Sequence, residues 1–377
     1  MLVLSVVGAR PNFMKIAPLA RELRLQPDMQ HLLVHSGQHY DDALSGSFFR
    51  DLGLPQPDIN LGVGSGSHAY QVAETLKRLE PVLLEQRPDV VMVVGDVNAT
   101  AAGALAAAKL GVPVAHVEAG LRSFDDSMPE EINRKVTDVL SRFLFASEES
   151  GVENLRREGV AEGRIHLVGN VMIDTLLRHR EAAAQSKILA ALELERRGGG
   201  SLPYAVLTLH RPANVDDPAS LARLLGAVAS IDAGLPVLFP VHPRTRERLR
   251  HLPPGSAPAP NLRLMEPLGY LDFLRLMDQA QLVLTDSGGI QEETTVLGVP
   301  CLTLRENTER PATLRYGTNQ LVGLDPERVI TAGRQALAAG RGCGRRPPLW
   351  DGMAAERIVR VLREQLPVPA VGRGACS

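Results

Sequence analysis

Short apolar runs of four to six residues recur along the chain, each followed by a turn and a stretch with helical spacing. Before residue 150 they read LVLSVV, HLLVHS, VVMVVG, PVAHV and FLFAS; after residue 200 they read YAVLTL, PVLFPV, LRLME, LVLTD and PCLTL. Runs that are apolar throughout, rather than alternating, belong to strands buried on both faces, and their alternation with helices predicts parallel sheets covered on both sides. At least four such units fall in the first half and about as many in the second. The pattern predicts an α/β protein of two doubly wound domains in series, and 377 residues suits two domains of ordinary size. Between them, residues 181–200 read as helix until Gly198, Gly199 and Gly200 stop it. PPGSAPAP (253–260) and GRGCGRRPP (340–348) read as surface loops, Met353–Gln365 as a final helix, and the tail beyond it as loose.

Composition narrows the partners. Lys and Arg number 41 against 43 Asp and Glu, a net charge of −2, which gives no reason to expect nucleic acid or an anionic membrane as partner. Aromatic residues make up only 4%, so the cores must be built from Leu, Val, Ile and Ala. Cys301, Cys343 and Cys376 have no C-x-x-C spacing and offer neither a disulfide framework nor a zinc cluster, which fits a reducing cytoplasm. The apolar start MLVLSVVGAR lacks a basic n-region, is too short for a membrane span, and reads as the first strand.

Open α/β sheets bind ligands at the carboxyl ends of their strands, so the residues just after each apolar run carry the chemical signal. After the first run, Arg10 and Lys15 flank a helix start; this is either a phosphate site or an ordinary strand-helix turn, and it lacks P-loop spacing. VVMVVGD ends in Asp96 and PVAHVEAG in His116 and Glu118, and a buried strand end seldom carries an unpaired carboxylate. Glu130 and Glu131 stand at a helix start, where acids also simply complement the helix dipole. In the second half, His210 and Arg211 follow YAVLTL, and His242 reads as structural. LTDSGGIQEE places Ser287, Gly288 and Gly289 at a helix opening whose N–H groups can cradle a phosphate, with Glu292 and Glu293 one turn on. GVGSGS (62–67) lacks the dinucleotide fingerprint and no metal-ligand spacing occurs, so neither cofactor nor metal is expected.

At these residues the sequence closely resembles the non-hydrolysing UDP-N-acetylglucosamine 2-epimerases. The resemblance rests on GARPNFMK, GDVNAT, AHVEAGLRSFD, MPEEINR, VGNVMIDTL, LTLHRPANVDD, PVHPRT, LTDSGGIQEE and TERPATLRYGTNQLVG, and spans roughly residues 1 to 330. It implies the GT-B architecture, two Rossmann-like doubly wound domains facing across a cleft: residues 1–170, joined by a returning helix at about 354–370, and residues 171–353. It implies Asp96, Glu118, Glu130 and His210 as catalytic residues. Arg10, Lys15, Ser287, Gly288, Gly289, Glu293 and Arg310 would hold the UDP moiety, with Phe273 beside the uracil.

The implied reaction is C2 epimerisation of UDP-N-acetylglucosamine to UDP-N-acetylmannosamine, by loss of UDP to 2-acetamidoglucal and its re-addition, in a cytoplasmic homodimer that feeds surface polysaccharide synthesis. Two alternatives stand beside it, an epimerase of UDP-2,3-diacetamido-glucuronic acid and a GT-B glycosyltransferase. The chain departs from many bacterial members at His210-Arg211-Pro212-Ala213-Asn214 and at Gln38-His39-Tyr40-Asp41-Asp42-Ala43. The second departure lies in a loop tied to allosteric activation, so the resemblance does not carry that property over.

Overall fold

The computed structural model describes residues 1–8, 10–37, 52–196, 198, 200–253, 259–342 and 344–366, apart from the side chains of Arg10, Pro243 and Arg244. The Gln38–Ala43 loop, most of 253–260, Cys343 and Cys376 therefore lie outside the described residues. The chain forms two compact units, Met1–Thr175 with Pro348–Ser377, and Leu176–Pro347.

The first unit holds a seven-stranded parallel sheet of β1 (Leu2–Val7), β2 (Gln30–His35), β3 (Ile59–Asn60), β4 (Val90–Val94), β5 (Val114–Ala119), β6 (Phe143–Ala146) and β7 (Ile165–Leu167). Its order is β3-β2-β1-β4-β5-β6-β7. The second holds a six-stranded parallel sheet of β8 (Ala205–Thr208), β9 (Val237–Pro240), β10 (Leu262–Met265), β11 (Leu282–Thr285), β12 (Cys301–Thr303) and β13 (Asn319–Leu321). Its order is β10-β9-β8-β11-β12-β13. Both sheets are Rossmann-like: the chain moves outward one way from the first strand, then returns to its other side. That reversal leaves a crevice between β1 and β4 in one unit, and between β8 and β11 in the other.

The apolar runs explain why these sheets form. Val90 to Val94 are wholly buried, and Leu4, Val6, Leu79, Val91, Val93 and Ala104 share one core. Leu207, Val228, Phe239, Leu284 and Leu302 share the core of the second sheet. Each fully buried Leu or Val contributes roughly 1.5–3 kcal/mol, so stability is spread over many aliphatic side chains rather than a few aromatics.

The connection at 181–200 is not one helix. The helix Val171–Ala184, which carries the chain from the first unit into the second, ends there, and a short helix Ile188–Ala191 follows. Ser186 stands at the break: its hydroxyl donates to Asp272 Oδ1 at 2.5 Å and accepts from the Ile188 N–H at 3.1 Å. An isolated antiparallel bridge, Glu195 to Ser201, closes the segment.

The final helix, Ala354–Gln365, packs in the first unit against the helix Arg10–Arg24. Asp174 caps it by accepting from the N–H groups of Ala354 (3.1 Å) and Ala355 (2.8 Å), and the Trp350 indole donates to Ser147 O at 2.9 Å. Among the described residues no helix is long and apolar enough to cross a membrane.

Candidate active site

In the first unit, the chain leaves β4 through Gly95 at φ +66°. A side chain there would lie 2.6 Å from Lys15 Nζ, so both conformation and space require glycine. Lys15, in the second turn of Arg10–Arg24, is buried, and its Nζ lies 2.6 Å from Glu118 Oε2. Glu118 is buried too, at φ +77°, where the pairing of β5 with β6 slips between Val117 and Ala119. A left-handed glutamate costs on the order of 1–3 kcal/mol and persists only where its surroundings over-determine it.

A buried clamp supplies that constraint. His116 Nδ1 lies 2.6 Å from Asp138 Oδ1 and its Nε2 lies 2.8 Å from Gly95 O. Asp138 Oδ2 accepts from the Gly120 N–H at 3.1 Å and lies 2.7 Å from Arg122 Nη1. Gly95 and Gly120 are thereby fixed at neighbouring strand ends, and Gly120 lies two residues after Glu118. Burial pushes the Asp138 carboxyl up, but His116 and Arg122 outweigh it and hold it below its ordinary value.

Asp96, the residue after Gly95, has Oδ2 2.5 Å from Arg134 Nη1. Arg134 is buried on the helix Pro129–Leu140, and its Nε and Nη2 donate to Glu131 Oε2 at 2.9 and 2.7 Å. Glu131, fully buried, also accepts from the N–H groups of Ser123 and Phe124, each at 3.0 Å. Burial opposes its charge, yet the Ser123 N–H and Arg134 leave its carboxyl below the ordinary range. Glu131 therefore does more than complement a dipole: it ties down the 121–124 loop and aims Arg134 at Asp96. Glu130 is half-buried in the first turn of the same helix. Lys15, from the helix after β1, thus meets Glu118 of β5 beside the turn that carries Gly95 and Asp96 after β4. Arg10 opens its helix, but its side chain lies outside the described residues.

In the second unit, Asp286 follows β11 and is fully buried. It accepts from the backbone N–H groups of His210 (3.0 Å) and Arg211 (2.9 Å) and from Asn214 Nδ2 (3.0 Å). Its Oδ1 lies 2.9 Å from Nδ1 of His210, whose side chain is 51% exposed. The pair turns Nδ1 inward and leaves Nε2 for another partner. Burial raises the Asp286 carboxyl, but His210 and the backbone N–H groups bring it below its ordinary value.

Ser287 precedes the helix Gly288–Leu297, whose first-turn N–H groups form an anion-binding end. Gly288 packs closely against the acid that follows β12: a Cβ there would lie 3.0 Å from Glu309 Oε1. Glu309 gathers three guanidinium groups: Arg305 Nη2 at 2.7 Å, and Arg211 Nη2 and Arg310 Nη1 each at 3.6 Å. Burial works against its charge, but Arg310 and Arg305 hold the carboxyl far below the ordinary range. Arg310 Nε is also 2.7 Å from Glu292 Oε1.

Glu293, by contrast, has its carboxyl pushed up to about 7 by burial, with a hydrogen bond from Tyr270 opposing. Phe273 is half-buried on the helix Tyr270–Gln279. Ser287, Gly288, Arg310 and His210 thus gather around Asp286 and Glu309.

Several residues that organise these sites are not evident from the motifs: Arg134 and Asp138 in the first unit, and Asp286, Glu309 and Tyr270 in the second. Only Asp286 carried a signal of its own, an acid directly after a buried strand. Among the described residues no three His, Cys, Asp or Glu side chains gather as metal ligands.

Two Rossmann-like sheets, each with charged groups at its point of reversal, define a two-domain α/β enzyme of the GT-B class. The sequence model of the family described as UDP-N-acetylglucosamine 2-epimerase matches residues 21–363. The UDP-N-acetylglucosamine 2-epimerase of Methanococcus maripaludis is 40% identical over 365 residues, covering 95% of this chain and 97% of its own. The crystal structure of Methanocaldococcus jannaschii UDP-GlcNAc 2-epimerase in complex with UDP-GlcNAc and UDP is similar with a TM-score of 0.88 at 42% identity, covering 96% of this chain and 99% of that one. The UDP-2,3-diacetamido-2,3-dideoxy-D-glucuronate 2-epimerase of Pseudomonas aeruginosa is 38% identical over 340 residues, 89% of this chain and 92% of its own. The chain belongs to the UDP-N-acetylglucosamine 2-epimerase family, a family of isomerases.

Proposed function

We propose that this chain interconverts UDP-N-acetylglucosamine and UDP-N-acetylmannosamine by eliminating UDP and adding it back. The observation that carries the reading is Glu118, a buried acid in left-handed conformation, ion-paired to Lys15 and beside a second ion-paired acid, Asp96. Strain and buried charge at adjacent strand ends are costly, and they mark a site rather than a core.

The C2 proton of the sugar is not acidic, so direct deprotonation is a poor route to inversion. In the proposed reaction a carboxylate among Asp96, Glu118 and Glu130 takes that proton, and the C–H electron pair becomes the C1–C2 double bond. The C1–O bond breaks and UDP leaves with its electrons, giving 2-acetamidoglucal. A second acid then returns a proton to the opposite face of C2 while a diphosphate oxygen adds to C1. The departing diphosphate gains charge, which Arg10, Lys15, His210, Arg310 and the Ser287-Gly288-Gly289 turn neutralise. Glu293 takes the ribose and Phe273 the uracil.

The test is incubation with UDP-N-acetylglucosamine in D2O followed by proton NMR. UDP-N-acetylmannosamine and deuterium at C2 are expected; absence of both sinks the proposal, and transfer only on adding an acceptor indicates a glycosyltransferase. A second reading, action on UDP-2,3-diacetamido-glucuronic acid, is favoured by the Pseudomonas aeruginosa relative. Exchange at C2 of that sugar alone would select it. Family membership also supports a cytoplasmic homodimer that feeds surface polysaccharide synthesis; a monomer mass by light scattering would count against the dimer.

A further inference from the structure

The two consecutive acids of the Gly288–Leu297 helix are held in different ways. Glu292 is paired with Arg310, whereas Glu293 accepts from the Tyr270 hydroxyl at 3.1 Å. Tyr270 opens the helix Tyr270–Gln279, is buried, and stands edge-on to His179 with ring centroids 6.0 Å apart. Phe273 lies one turn further along that helix. A buried phenol needs a hydrogen-bond acceptor, but a backbone carbonyl suffices. Tyr204 in the same unit shows this by donating to Leu276 O at 2.7 Å. Tyr270 instead donates to a buried acid on the helix that opens with the anion-binding turn.

We infer that Tyr270 is a positioning residue whose hydroxyl fixes the Glu293 carboxylate to accept the hydroxyls of a ribose, so that the site prefers a ribonucleoside diphosphate over its deoxy counterparts. The inference rests on the function proposed above, in which Glu293 holds the ribose of UDP. An ionised carboxylate has about four lone-pair sites and no donor, so one phenol and two ribose hydroxyls fill it well. A protonated carboxyl carries a donor of its own and matches a diol poorly. Burial favours that protonated form of Glu293, and Tyr270 is the group that opposes it. Other titratable groups about this helix are Glu292 with Arg310, Asp286 with His210 and Glu309 at the helix start, Cys301 of β12 bonded to Thr294, and His179 edge-on to the Tyr270 ring. A site built to bond a hydroxyl rejects the analogue that lacks it, because its own polar group is then left unpaired.

The experiment is calorimetric titration of the full chain and of its Tyr270→Phe and Glu293→Gln variants with UDP, 2′-deoxy-UDP and 3′-deoxy-UDP. The unsubstituted protein should prefer UDP over at least one deoxy analogue by about tenfold, the scale of a hydrogen bond to a charged group. Tyr270→Phe should shrink that ratio to about threefold or less, with a smaller loss of affinity for the deoxy analogues than for UDP and the loss of UDP affinity larger at pH 6.5 than at pH 8.5. Glu293→Gln should shrink the ratio as well. Equal losses for UDP and its deoxy analogues in Tyr270→Phe, or an intact ratio in either variant, overturn the inference and leave the proposed function standing. Failure of the unsubstituted protein to bind UDP at all removes the functional reading itself.

Discussion

The two units share a strand order yet hold charge in opposite senses. In the first, acids stand at the strand ends and cations hold them: Lys15 holds Glu118, and Arg134 holds Asp96. In the second, one acid gathers the guanidinium groups and another, itself at the end of β11, orients a histidine: Glu309 gathers Arg211, Arg305 and Arg310, while Asp286 holds His210. Topology decides where chemistry sits, and the residues after each strand decide its sign. The proposed elimination asks for this division, with carboxylates for a sugar carbon and cations for a leaving diphosphate.

The sharpest way to break the comparison is to remove one group from each unit and ask which kinetic quantity falls. Glu118→Gln should lower turnover by roughly a hundredfold to ten-thousandfold, the range of general acid-base catalysis, while UDP affinity by calorimetry stays within about threefold. Arg310→Met should do the reverse in kind, weakening UDP binding by about tenfold or more. If Glu118→Gln weakens UDP binding as much as Arg310→Met does, the two units do not divide the work.

A second, smaller effect tests whether cations really hold the acids of the first unit. Arg134→Met removes the cation that Asp96 and the fully buried Glu131 share. Removing one partner of a buried ion pair costs about 3–5 kcal/mol. Urea unfolding followed by circular dichroism should show a loss of that order. A loss below about 1 kcal/mol would mean that Glu131 is stable without its cation, and the clamp on Asp96 would lose its rationale.

Much of this arrangement was legible before the structure. Ten apolar runs correspond to ten of the thirteen strands among the described residues. The other three, Ile59–Asn60, Ile165–Leu167 and Asn319–Leu321, all lie at sheet edges, where a strand has one neighbour and two or three residues with polar members suffice. The positions of Asp96, Glu118, His210 and Ser287 are readable because Glu118 lies at the end of a strand and each of the others within two residues after one. Their holders are not. Arg134, Asp138, Glu309 and Tyr270 come from helices and loops that only tertiary packing brings to the strand ends. At 181–200, too, helix-favouring composition does not show the interruption at Ser186, whose partner Asp272 comes from a distant helix.

Glu293 is the exception within the second unit, an acid held by a phenol rather than holding a cation, and pH exposes the difference with the smallest of the expected effects. Its carboxyl sits at about 7 in the folded chain against an ordinary 4.5, so the native state binds that proton more tightly than the unfolded state. The stability this contributes is complete below about pH 4.5 and is lost as pH rises through 7. Glu293→Gln cannot ionise and escapes that loss. Its stability relative to the unsubstituted protein should therefore improve between pH 5 and pH 8, by on the order of 1–3 kcal/mol in urea unfolding. Asp286 has the opposite sign: its carboxyl lies below its ordinary 3.8, so its contribution is present above that value and lost only in stronger acid. Asp286→Asn should accordingly show a deficit that stays level from pH 5 to pH 8. A level difference for Glu293→Gln as well would mean that Glu293 is already ionised at pH 5, and would return it to the acids that hold charge rather than protons.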